Sequence, residues 1–126
     1  MKQVSLLAGL IIGVLSILIA CESKKEAAKP VGDVALMSPA GSAGRVENDE
    51  GVGHYKQGHW NVAEGHFRKT IAADPKLVEA HYNLGLALDK MGKHEVATAS
   101  FKKVVELAPP DSPIKDSVIL KEHLGK

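Results

Sequence analysis

The sequence predicts an all-α fold: two helical hairpins in phase with each other and a C-terminal helix, preceded by an apolar N-terminal segment and a linker. Three observations carry this expectation. Ala63, Phe67 and Pro75 align with Ala97, Phe101 and Pro109 at an offset of 34 residues, a period typical of stacked helix-turn-helix units. Tyr55, Trp60, Phe67, Tyr82 and Phe101 all fall between positions 55 and 101, which locates the core there. No stretch reads as a strand.

At 126 residues the chain has room for one small domain, which leaves no space for a two-domain enzyme. Formal net charge is +1, and loss of residues 1–20, which contain Lys2, leaves 15 basic against 15 acidic residues. That balance implies no nucleic-acid or other polyanion partner. A single cysteine excludes an intramolecular disulfide, so stability has to come from packing or from a partner.

Residues 1–20 read as a short positive start, an apolar run from Val4 to Ala20 and a small residue before a cut, the pattern of a secretory signal. Leu18-Ile19-Ala20-Cys21 resembles the lipobox of bacterial lipoproteins. The resemblance implies diacylglycerol or palmitate on the Cys21 thiol, cleavage just before it, and an anchored protein whose only prosthetic group is that covalent lipid. Each buried methylene of such a chain adds roughly 0.8 kcal/mol, so two or three chains anchor stably where one does not. In enteric members of that family an aspartate after the cysteine retains the protein in the inner membrane, whereas Glu22 stands here; the resemblance therefore implies the periplasmic face of the outer membrane. An uncleaved membrane helix is the alternative, although 17 residues is short for spanning. Ordinary signal cleavage with an incidental Cys21 is another.

From Cys21 to about Val46 the chain is rich in Ala, Gly, Ser, Pro and Lys and lacks any helical or strand period, which predicts a flexible tether. Such a tether has an r.m.s. reach of about 25 to 30 Å.

The first hairpin is expected over residues 47–77 and the second over 78–111. In the second, Leu84, Leu88 and Phe101 fill the groove between helices that cross closely at Gly85 and Ala97, while Gly92 ends a helix and Pro109 closes the unit. This stretch resembles the tetratricopeptide repeat along its whole length. The resemblance implies a right-handed α-solenoid that binds protein partners in a concave groove lined by its first helices. In the first copy Gly51, Ala63, Phe67 and Pro75 keep the pattern, but Glu47, Glu50 and His54 stand where the family places large apolar residues. Its first helix is expected to be short and frayed, since Gly51 and Gly53 each cost about 1 kcal/mol relative to alanine. Residues 112–126 complete the chain as a capping helix, with Ser112 as N-cap, Pro113 at the first helical position and an apolar arc of Ile114, Val118, Leu120 and Leu124.

The resemblance places the partner-binding groove at Asn48, Val52, Tyr55 and Lys56 from the first copy, and Glu79, Tyr82, Asn83, Leu86, Asp89 and Lys90 from the second. Apolar surface mixed with amide groups suits an extended or helical peptide. Members that clasp a C-terminal carboxylate use lysine and asparagine where Asn48 and Val52 stand here, which argues against that ligand despite the match at Asn83. Two repeats and a cap are near the lower limit for a solenoid, so self-association or a partner chain is expected to complete the stack.

Six histidines invite a metal reading. No pair stands four residues apart and no haem-attachment motif is present; His54 and His66, facing each other across the first hairpin, are the best two-ligand candidate. No nucleophile motif, phosphate loop or dinucleotide fingerprint accompanies the serines and acids, so no enzyme activity is expected. Lys102, Lys103 and Lys121 are interleaved with Glu106 and Glu122 as a mixed solvated surface. The sequence therefore reads as a membrane-anchored scaffold or adaptor of the bacterial cell envelope, and the resemblance to anchored repeat proteins implies a part in assembling a pilus, secretion or outer-membrane complex. A histidine-based metal carrier and a plain structural spacer are the alternatives.

Overall fold

The structure is a computed structural model that describes residues 31–125. The expected signal segment, Cys21 and the first part of the expected tether lie outside the described residues. Helix α1 spans Arg45–Lys56, α2 Trp60–Ala73, α3 Val78–Lys90, α4 His94–Leu107 and α5 Val118–Leu124, with a 3-10 turn at Pro113–Asp116. Among the described residues there is no strand, and no helix is long and apolar enough to cross a membrane.

Each helix packs mainly on its chain neighbours, α1 on α2, α2 on α3, α3 on α4 and α4 on α5, so the hairpins stack in sequence order. Both hairpins turn in the same way. Gly58 and Gly92 have φ of 78° and 74°, where a Cβ would be strained. The following N–H of His59 or Lys93 returns to the carbonyl of His54 or Leu88, while each glycine N–H reaches Tyr55 or Asp89. That 6→1 and 5→2 pattern satisfies the last carbonyls of α1 and α3.

Each hairpin closes on a phenylalanine laid against a glycine. A Cβ on Gly85 would stand 2.5 Å from the Phe101 ring, and one on Gly51 would stand 2.6 Å from the Phe67 ring. Phe67, Phe101, Ala63 and Ala97 are all fully buried. This close approach corrects the expectation of a short, frayed first helix: α1 runs for 12 residues, because the glycine that weakens it in isolation admits the aromatic that holds it in place.

Where α3 and α4 meet through Leu84 and Leu88, the matching positions in α1 carry Glu50 and His54. They form a polar layer with α2: His66 Nδ1 lies 2.8 Å from Glu47 and 3.6 Å from Glu50, and its ring stacks on His54 at 5.3 Å.

Two further expectations are corrected. The capping helix is broken into the 3-10 turn and α5, because Ser117 is extended (ψ 131°) and buried, its Oγ 2.9 Å from the Tyr82 hydroxyl. Ser112 precedes Pro113 as expected but makes no side-chain cap bond. The flexible tether, predicted to reach Val46, instead becomes a fixed arm over the described part of that stretch: residues 31–38 lie across the first helices, and 39–44 turn the chain into α1, which begins at Arg45. Ala35 is 5% exposed and joins the core, with Val31 and Leu36 packed against it. Burial of those apolar side chains and capture of the arm's backbone outweigh its loop-like composition.

Candidate functional site

The groove is built at two adjacent positions of each first helix. Asn48 and Asp49 in α1 are in phase with Tyr82 and Asn83 in α3, and all four bond to the backbone of the arm. The Leu36 N–H donates to Asn83 Oδ1 at 2.7 Å, while the Leu36 carbonyl accepts from Asn83 Nδ2 at 2.7 Å and from Asn48 Nδ2 at 2.9 Å. Asn83 Nδ2 also donates to Asn48 Oδ1 at 2.9 Å, which fixes how both amides point. Tyr82 donates to the Gly32 carbonyl at 2.9 Å, and the Ser38 N–H donates to Asp49 Oδ1 at 3.0 Å. The arm thus crosses the stack from α3 towards α1, opposite to the order of the repeats.

This capture is nearly independent of the arm's side chains. One residue, Leu36, has both backbone polar groups satisfied by amides from two repeats, and both amides are fully buried. An extended chain of other sequence would offer the same donor and acceptor; side-chain choice is exerted at Ala35, which is buried, and at Leu36, which is partly buried. Along the floor, Val52, Leu86 and Leu120 repeat at the 34-residue period and are all buried.

The electrostatics follow the same geometry. Burial pushes the Asp49 carboxyl up, but hydrogen bonds from Ser38, Asn48 and Arg45 outweigh it and leave the group below its ordinary value of 3.8. Burial, then the charges of Asp33 and neighbouring groups, drive Tyr55 up to about 12; Tyr82 is raised mainly by burial.

Of the other groove residues named from sequence, Val52, Tyr55 and Leu86 are buried in the floor, and Lys90 forms an exposed 3.4 Å ion pair with Asp33 of the arm. Glu79 is partly buried beside a 260 Å³ pocket that Val31, Leu36 and Ile114 also line. Lys56 is exposed. Asp89 turns instead to His94 and His123, at 2.8 and 2.9 Å. The His54 and His66 rings lie face to face, 15° from parallel, so their nitrogens do not converge on one point between them.

Sequence reasoning missed the arm. Its signal was the cluster Val31, Val34, Ala35, Leu36 and Met37 inside an otherwise polar, small-residue stretch.

Residues 78–111 match the tetratricopeptide repeat family. They contain α3 and α4 with the glycine turn between them. Repeats of this family generally mediate binding to protein partners. A relative from Caenorhabditis elegans named a protein O-mannosyl-transferase is 29% identical over 90 residues, covering 71% of this chain and 12% of its own length. The transferase activity in that name belongs to the relative, of which this chain spans about an eighth. No solved structure matches the chain.

Proposed function

We propose that the chain is a membrane-anchored scaffold whose groove binds an extended segment of a protein partner, in exchange with its own residues 32–38. The observation that supports this reading is the pair of asparagines around Leu36: they recognise peptide backbone, and backbone is what any extended partner presents. The arm adds in cis the chain that a two-repeat stack lacks, covering first helices that would otherwise face water. A partner segment that replaced it would find the same donors and acceptors already placed. The lipobox-like Leu18-Ile19-Ala20-Cys21 supports a lipid on Cys21 and an envelope location, with the tether beyond it joining the arm to the membrane.

A peptide of sequence Val31–Ser38, labelled with a fluorophore, tests the groove. It is expected to bind a full chain whose residues 31–38 are replaced by Gly and Ser, provided circular dichroism shows the helices retained. It should bind the intact chain far more weakly, because the arm competes at millimolar effective concentration. The Asn48→Ala, Asn83→Ala double variant of the Gly/Ser chain should lose the peptide. Equal binding to intact and arm-replaced chains would put the peptide outside the groove, and no binding to the intact chain at any peptide concentration would leave the arm as a permanent part of the core; either result would remove the exchange reading. For the anchor, Cys21→Ser should move the protein from the detergent phase to the aqueous phase in a cloud-point partition.

A further inference from the structure

We propose that Asp89, His94 and His123 form a binding site for one zinc ion that pins α5 to the end of the second repeat. The three donors come from three helices: Asp89 from the last turn of α3, His94 from the first residue of α4 and His123 from α5. One carboxylate oxygen, Asp89 Oδ1, lies 2.8 Å from His94 Nδ1 and 2.9 Å from His123 Nε2, and all three ligand atoms are within 4.8 Å of one another.

The hydrogen bonding around His123 is what points to a cation. The Thr98 hydroxyl donates to the His94 carbonyl at 2.8 Å, so its one hydrogen is committed. Towards His123 Nδ1, 2.9 Å away, the same oxygen can then only accept, and Nδ1 carries the hydrogen. In the neutral ring this leaves Nε2 with a lone pair aimed at a carboxylate oxygen. Two acceptors 2.9 Å apart repel unless a second proton or a metal ion lies between them. An imidazole whose far nitrogen is fixed by an oxygen, with its near lone pair turned to a carboxylate, is the outer-shell arrangement that orients a metal ligand.

The ring is also fixed from behind by Phe101, with centroids 4.9 Å apart. The side chains of His123 and Asp89 are 11% and 19% exposed, whereas His94 is 68% exposed and forms the open side through which an ion enters. Two imidazoles and one carboxylate suit a borderline ion such as Zn²⁺, with water as the fourth ligand. Donors around a tetrahedral zinc stand about 3.3 Å apart, so the contacts of both His94 and His123 to Asp89 have to lengthen by roughly half an ångström when the ion enters. The acid-histidine cluster of the first hairpin makes no such case, since a single N–H on His66 Nδ1 satisfies Glu47 at 2.8 Å.

The test uses the full chain in detergent, without a histidine tag and stripped with EDTA, titrated with Zn²⁺ against a chromophoric chelator. One equivalent per chain is expected at micromolar affinity or tighter. His94→Ala, at an exposed position, should fold normally and bind at least tenfold more weakly. Thr98→Val should also weaken binding, by roughly 10- to 100-fold, and Thr98→Ser should restore it. A His54→Ala, His66→Ala control should be unaffected. At a hundredfold excess over Kd, zinc should raise the Tm of the parent chain by roughly 10 °C and that of His94→Ala by much less. Absence of saturable binding below 100 μM (on the order of a 5 kcal/mol affinity), binding that survives His94→Ala, or binding lost only in the His54, His66 control would overturn the proposal.

Discussion

Individual side chains divide this protein into positions where a methyl group is welcome and positions where it is ruinous. Gly53 lies inside α1 with nothing within 4 Å of the point where a Cβ would stand, so Gly53→Ala is expected to stabilise by about 1 kcal/mol in urea unfolding. Gly85→Ala should do the opposite by about 1 to 3 kcal/mol, since its Cβ would fall 2.5 Å from the Phe101 ring and force that ring to move. The tyrosines make a second residue-scale prediction. Burial raises Tyr55 to about 12 and raises Tyr82 as well, so the neutral phenols favour the folded state. Their contribution is complete below the ordinary value of 10 and is lost as pH rises from there through the folded values. Absorbance at about 295 nm, the tyrosinate band, should therefore stay low past pH 10 and rise together with loss of helical circular dichroism.

Among the elements, the arm is the one whose behaviour can be set apart from the rest. Its Leu36 and Ser38 amides are held by Asn83 and Asp49 and should exchange slowly with deuterium, unlike those of exposed Ala40 and Gly41. Asn83→Ala leaves the Leu36 N–H without its acceptor and should cost about 1 to 3 kcal/mol, with faster exchange at Leu36. Acid acts on the same element with a defined sign. Because Asp49 sits below its ordinary 3.8 in the folded chain, its hold on Ser38 is present above that value and is lost as pH falls through the lower folded one. Protection at Ser38 should accordingly be flat from pH 7 to about 5 and decline below about 3.8.

Over the whole molecule, stability rests on a short stack in which each hairpin has neighbours on few sides. Phe101 is fully buried, lies against Gly85 and meets the rings of both Tyr82 and His123. Phe101→Ala should cost about 3 to 5 kcal/mol, a large part of the roughly 5 to 15 kcal/mol available to a domain of this size, and should shift the urea midpoint sharply downwards. The arm adds Ala35 to the core that the two hairpins provide, with Val31 and Leu36 packed against it, and Val52, Leu86 and Leu120 are buried at the 34-residue period.

The hairpins are legible in the amino-acid sequence because helix formation and helix closure are written in local spacing: the 34-residue offset of Ala63, Phe67 and Pro75, and the turn glycine at position 92, restate one geometry twice. The resemblance to the tetratricopeptide repeat also places Asn48, Tyr82 and Asn83 on the first helices, where they bond to the arm. What covers the groove follows from no such pattern, since Leu36 meets Asn83 across 47 residues and no local period announces such a pairing. The cluster of Asp89, His94 and His123 is hidden for the same reason, its members converging only once α5 packs on α4. Local pattern determined where the chain is helical; only the packing of distant segments decided which polar groups face one another.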